Sequence, residues 1–166
     1  MKKSLALLAV LLLAGCASVQ PDPHAADAGE GTENYESLDL GTPQTIQGIT
    51  VTVNSLTPIK GDLDMLHTAK SLPEGDQYAK VSLSVENGTD QSTEATGYVN
   101  FKVVNAENEQ CSFVLGAELE GNLEETLGAG EKLSGELAYE IPMSGELILQ
   151  YYPNTLSDEF ISFRIR

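Results

Sequence analysis

Lys80-Val81-Ser82-Leu83-Ser84-Val85-Glu86-Asn87-Gly88 is the stretch whose reading decides the fold. Val81, Leu83 and Val85 alternate with Lys80, Ser82, Ser84 and Glu86. Successive side chains of an extended chain point to opposite faces, so this segment reads as a strand with one buried and one wet face. Asn87-Gly88 then supplies the residues that most readily enter a tight turn. One apolar and one polar face is the pattern of antiparallel rather than parallel sheets.

The same period of two recurs on both sides. Ile49, Val51 and Val53 alternate with threonine and asparagine upstream. Downstream come Val99, Phe101 and Val103, then Cys111, Phe113 and Leu115. Leu133, Leu137, Tyr139 and Ile141 form a fifth run, interrupted by Gly135; Leu147, Leu149 and Tyr151 form a sixth, and Ile161, Phe163 and Ile165 a seventh. Turn residues separate them at Asn105 to Glu109, Gly128-Ala129-Gly130, Ser144-Gly145 and Pro153-Asn154. About seven such strands predict an all-β fold, an antiparallel Ig-like β-sandwich. The chain has no tryptophan, so the antibody-type cysteine–tryptophan–cysteine core is excluded. On this register Cys111 shares a face with Phe113 and Leu115 and reads as a small buried hydrophobe.

Upstream of Ile46 the chain changes character. Met1-Lys2-Lys3 and the apolar run Leu5 to Leu13 form a secretory signal, too short for the about 18 apolar residues of a membrane span. Leu13-Ala14-Gly15-Cys16 at its end resembles the lipobox of bacterial lipoproteins. That resemblance implies a diacylated thiol on Cys16 and cleavage just before it; the competing reading is an ordinary signal peptide that happens to contain a cysteine. Two chains anchor a protein lastingly where one holds only marginally, so the membrane enters as a partner through lipid rather than through a span. Ala17 to about Gln44 holds Pro21, Pro23 and Pro43 with six acids, no lysine or arginine and no apolar period. It reads as a disordered tether, with a reach on the order of 30 Å as flexible coil. The expected organisation is a signal peptide over 1–15, a lipidated cysteine and acidic linker over 16–44, and the sandwich over 45–166.

Charge limits the partners. The formal net charge is −16, and loss of Lys2 and Lys3 with the signal makes it −18. That field repels phosphate backbones and anionic headgroups, so nucleic acid is not an expected partner. The acidity also has a plain reading as solubility.

Catalytic patterns are missing from the sequence. HExxH, GxSxG, CxxC and a phosphate-cradling glycine loop do not occur, and one of the two histidines, His24, falls in the tether. Glu118 with Glu120 and Glu124 with Glu125 read as a solvated acidic loop rather than as acid/base pairs. No cofactor is implied. The connection from Pro58 to Asp76 is longer than the usual loop and offers Asp62, Asp64 and His67 as candidate binding residues. Asp62 and Asp64 supply oxygens for calcium, although Leu66 and His67 break the EF-hand pattern. Met65 and His67 supply a soft pair for copper. A short helix from Asp64 to Ser71, capped by Asp64, is expected within it; packed down, the same loop would serve as a plug over one end of the sandwich. Asn87-Gly88-Thr89 matches the glycosylation triplet and reads as a tight turn.

Residues from about 46 onward resemble a bacterial family of secreted and lipid-anchored Ig-like domains, kin to the mycobacterial immunoprotective extracellular protein. The likeness is carried by Ile49-Thr50-Val51-Thr52-Val53, by Gly75-Asp76-Gln77-Tyr78 leading to Glu86-Asn87, and by Leu127 to Gly135. Tyr139-Glu140-Ile141-Pro142 and Leu147 to Pro153 complete it. Ala129 stands where the family often has proline, and the first loop is longer than usual. The resemblance implies an extracytoplasmic antiparallel sandwich and brings no enzymatic activity with it. The functional expectation is a non-catalytic, membrane-anchored binding module whose partner is another envelope or extracellular protein. The Pro58–Asp76 and Glu118–Glu125 loops are its candidate contact surfaces. The alternative is a lipoprotein that binds a small ligand or metal ion, calcium or copper, through Asp62, Asp64 and His67.

Overall fold

The computed structural model of the chain describes residues 38–60, 72–95 and 97–166. The signal peptide, Cys16, the tether up to residue 37 and the Asp64 to Ser71 helix expected from the sequence lie outside the described residues. In chain order the elements are β1 (Pro43–Ile46), β2 (Ile49–Pro58), β3 (Asp76–Asn87), β4 (Thr93–Ala95) and α1 (Gly97–Asn100). They continue with β5 (Phe101–Asn105), β6 (Ser112–Phe113), β7 (Glu125–Leu127), β8 (Lys132–Pro142), β9 (Leu147–Tyr151) and β10 (Ile161–Arg164).

The strands form a five-stranded sheet in the order β1-β2-β3-β8-β6 and a three-stranded sheet in the order β10-β9-β5, with β4 and β7 paired as a separate ribbon. Every strand pair is antiparallel. The central β3 carries the alternation read from the sequence. Val81, Leu83 and Val85 are fully buried, with Leu137 and Leu133 opposite Val81 and Val85 on β8. Phe101, Val103, Leu149, Tyr151 and Phe163 come from the three-stranded sheet into the same core. Burying each such side chain contributes about 1.5–3 kcal/mol, and alternation is what lets one strand give half its residues to that core.

A sandwich has two open seams, and both are closed here. On one side Asp39 N–H donates to Arg164 O (2.9 Å) and Gln44 Nε2 donates to Ser162 O (2.8 Å), so the segment leading into β1 ties onto β10 of the other sheet. On the other side residues 110–114 change sheets: Cys111 N–H donates to Val103 O on β5 (2.8 Å), while Val114 N–H donates to Ala138 O on β8 (2.9 Å).

Four expectations need correction. The described residues hold ten strands rather than about seven; β1, β4 and β7 are short and carry too few apolar residues to show a period. β1 begins at Pro43, and Asp39 and Gly41 bond into the domain, so residues upstream of the expected start at 45 already belong to the sandwich. Val99 sits in α1 and is exposed, because the chain turns at Asn100, whose Nδ2 donates to Tyr152 O (2.7 Å). Leu115 is 66% exposed: after Phe113 the chain leaves the sheet, and Val114 takes the buried place instead.

Gly135, which breaks the fifth apolar run, has a packing reason. The loop after β6 crosses over β8 there, with a bridge between Gly121 and Gly135 and Leu123 buried beneath. A Cβ on Gly135 would lie 2.9 Å from Leu123 Cγ, so only glycine lets the loop lie this close.

Candidate functional site

Cys16, Asp62, Asp64 and His67 lie outside the described residues. The strand ends that carry the long connection are in view. Ile59 N–H donates to Tyr78 O (2.8 Å), and Met143 N–H donates to Gly75 O (2.7 Å), so the loop leaves from a firmly hydrogen-bonded rim. Arg166 caps that rim: its Nη2 donates to Pro142 O (2.7 Å) and its Nε to Gly145 O (2.9 Å). Cys111 is buried, as expected. Burial pushes its thiol up, Asp76 adds to the rise, and Arg166 opposes it. A desolvated thiol of this kind is a poor nucleophile.

The acidic loop is ordered by its own polar groups. Asn122 Oδ1 accepts from Glu124 N–H (2.8 Å), and Asn122 Nδ2 donates to Glu125 Oε1 (2.9 Å). Glu120 N–H donates to Glu136 Oε2 (3.1 Å), and Glu136 in turn holds Lys80 at 2.9 Å. Glu118, Glu120, Glu124 and Glu125 are exposed, which is the solvated arrangement expected of this loop. Among the described residues no group of three or more histidines, cysteines and acids is placed to hold a metal ion.

Asn87 is braced on every side. It is fully buried, its Nδ2 donates to Gln91 O (2.7 Å), Leu127 O (3.1 Å) and Gly128 O (3.0 Å), and its Oδ1 accepts from Thr89 N–H (3.0 Å). The glycosylation triplet is thus a turn brace that ties the end of β3 to the end of β7. A shallow cleft of about 250 Å³ lies beside it, lined in part by Gln47, Asp90, Gln91 and Pro153.

The arrangement that sequence reasoning missed lies where α1 meets β6. Tyr98, Val99 and Leu115 are exposed by 54%, 39% and 66%. The Tyr98 ring packs at 6.0 Å on Phe113, which meets the core ring of Tyr139 edge-on at 5.5 Å. Tyr139 is itself fully buried, which drives its hydroxyl pKa far up, and that hydroxyl donates to Phe101 O (3.4 Å). An exposed aromatic surface is therefore built on a ring stack that runs into the core. The alternation of Val99 and Leu115 with buried neighbours hid it, because an outward apolar residue at a strand end reads like a core residue.

Taken together, the antiparallel strands define an all-β sandwich domain. Over residues 38–161 the chain matches DUF4352, a domain of unknown function, and it belongs to that family. Solved structures share the fold. The yjhA protein of Bacillus subtilis aligns with 78% of this chain and 100% of its own at 18% identity, with a TM-score of 0.59. An inferred lipoprotein (ycdA) of the same organism aligns with 78% of this chain at 18% identity and a TM-score of 0.58; the match spans 39% of that longer chain. The secreted protein MPT63 of Mycobacterium tuberculosis aligns with 69% of this chain and 86% of its own at 12% identity, with a TM-score of 0.53. The family likeness and the sandwich read from the sequence are both borne out. Comparison with the curated proteins finds no match. Among the described residues no helix is long and apolar enough to cross a membrane.

Proposed function

We propose that this protein is a lipid-anchored, extracytoplasmic and non-catalytic interaction module, held to the membrane through Cys16, whose sandwich docks another protein of the cell envelope. The observation that carries the docking is the exposed Tyr98 ring packed on Phe113, with Val99 and Leu115 exposed close by in sequence. Single exposed apolar residues are ordinary, whereas an exposed ring backed by a second ring that reaches the core is a surface built for contact. Tyrosine is favoured at such surfaces because one rigid ring offers a large apolar area and a polar tip. Here the ring is fixed in advance by Phe113 and Tyr139, so little freedom is lost on binding. The likeness in fold to secreted and lipoprotein sandwiches supports the location.

Photo-crosslinking in the native host tests this reading. A benzophenone amino acid at Leu115 in the full chain is expected to give one discrete protein adduct, and Tyr98→Glu abolishes it. The same probe at Glu86, exposed on β3, gives none. If positions 115 and 86 crosslink alike, or neither does, the docking surface is wrong. Cys16→Ser in the same cells leaves an uncleaved precursor that carries no lipid; a mutant that matures normally and stays in the membrane overturns the anchor.

A further inference from the structure

The outward face of the three-stranded sheet carries a second arrangement, which does not rest on the protein-docking reading. Phe101, Leu149, Tyr151 and Phe163 of these strands point into the core, so Lys102, Gln150 and Ser162 point away from it. The register sets them in one row: Lys102 lies opposite Gln150, and Gln150 opposite Ser162. Tyr152 stands just beyond β9, and Phe160 just before β10. Their rings meet at 5.0 Å, and Lys102 Nζ lies 4.3 Å from the Tyr152 ring centroid.

This group is held rigidly. The Tyr152 hydroxyl donates to Gln150 Oε1 (2.9 Å), Tyr152 N–H donates to Asn100 O (2.8 Å), and Tyr152 O accepts from Asn100 Nδ2 (2.7 Å). Phe160 braces the ring yet stays 43% exposed. With its oxygen used by Tyr152, Gln150 keeps its amide nitrogen for a ligand. Among the described residues neither that nitrogen nor the Lys102 ammonium enters a hydrogen bond or an ion pair. An exposed ring edged by a row of polar groups on a rigid sheet has a defined chemical complement.

We propose that this face binds a neutral pyranose oligosaccharide. One sugar lays its C–H face on the Phe160 ring, and its hydroxyls meet the Gln150 amide, the Lys102 ammonium and the Ser162 hydroxyl. The face of an aromatic ring is its negative side, so it attracts the weakly positive C–H groups that a pyranose presents on one side. A sugar hydroxyl both donates and accepts, which suits a row made of an amide, a cation and a hydroxyl. The net charge of −16 works against a polyanion at the same place, so the sugar is an uncharged one. An open sheet face, rather than a closed pocket, suits a chain that continues past the site in both directions.

Isothermal titration of the purified full chain in detergent with cellotetraose, chitotetraose and maltotetraose tests the site. At least one of the three is expected to bind saturably with a Kd of about 1 mM or tighter. Phe160→Ala and Gln150→Ala each weaken it about tenfold or more. Phe160→Tyr keeps the ring and the affinity, and Glu86→Gln changes nothing. Unchanged circular dichroism and Tm in the alanine variants assign the loss to the site and not to unfolding. No heat with any of the three sugars up to about 10 mM, or full affinity in Phe160→Ala, overturns the proposal.

Discussion

Asp39 grips the backbone of Arg164 at two points. Its N–H donates to the Arg164 carbonyl at 2.9 Å, and its carboxylate accepts the Arg164 N–H at 2.8 Å, across 125 residues of sequence. These bonds join the segment before β1 to the outer edge of β10, where a free ladder would otherwise face solvent. Asp39→Ala removes the charge-assisted bond, and Asp39→Asn keeps a weaker one. The alanine variant is expected to lose about 1–2 kcal/mol in urea unfolding, and asparagine about half of that. Hydrogen exchange of the Arg164 amide should quicken in the alanine variant more than that of Leu149 in the middle strand. Equal stability of Asp39→Ala and the parent would show the seam to be closed without it.

Lys80 and Glu136 give stability a readable pH dependence. Burial alone would raise the Glu136 carboxyl, but the hydrogen bond and charge of Lys80, with the Glu120 N–H, outweigh it and hold the group below its ordinary 4.5. A depressed carboxylate stabilises the fold above its unfolded value, and that contribution is lost as pH falls through the folded one. Lys80 is raised, chiefly by its hydrogen bond to Glu136, so its share is present at neutrality and lost only at strongly alkaline pH. Glu136→Gln should therefore shrink the difference in urea midpoint between about pH 7 and about pH 3. An unaltered difference would mean the acid limb belongs to other carboxylates.

Gly121 and Gly135 let the acidic loop lie on β8. Gly121 has φ +73°, and a Cβ there would press on the backbone oxygen of Ser134. Gly121→Ala combines left-handed strain with a backbone clash and is expected to cost about 2–4 kcal/mol. Gly130 has φ +72° but open space around it, so Gly130→Ala costs only about 1 kcal/mol. The contrast between the two, read from thermal unfolding, separates crowding from strain.

The legible part of the fold was what alternation encodes. Val81, Leu83 and Val85, with Leu147, Leu149 and Tyr151, announced strands because their burial follows the pleat, although Ser84 on the other face of β3 is buried as well. Val99 and Leu115 misled because the pleat stops close to them, at α1 and where the chain leaves the sheet after β6. The Asp39–Arg164 clip and the Gly121–Gly135 bridge left no local signal, since each depends on a partner distant in sequence. The Tyr98–Phe113 contact and the Lys102–Gln150–Ser162 row share that cause: packing of α1 on β6 makes the first and strand register the second, and one element read alone shows neither.

Cys111 should behave as a core atom rather than as a reagent. Burial pushes its thiol up, and residues 110–114 hold it between the two sheets. Maleimide labelling of the native protein at about pH 7 is expected to be slow and to become complete only on unfolding in guanidinium. Cys111→Ala should cost about 1 kcal/mol, and Cys111→Ser more, because its hydroxyl is desolvated without a ready partner. Fast native labelling would mean that the crossing segment opens far more often than the rest of the domain.

Asn87 provides the sharpest test of the turn architecture. Its amide satisfies the Gln91, Leu127 and Gly128 carbonyls together, and its oxygen fixes Thr89. Asn87→Ala leaves those groups unpaired in a buried site and should cost about 3 kcal/mol or more. Asn87→Asp faces a carboxylate with three carbonyl oxygens, so its protonated form is favoured in the fold. That variant should gain stability as pH falls, the reverse of the parent's trend through Glu136, because the folded state takes up the proton more readily than the unfolded one. A stability profile for Asn87→Asp that falls with acid as the parent's does would show that the buried amide donates less than the geometry indicates.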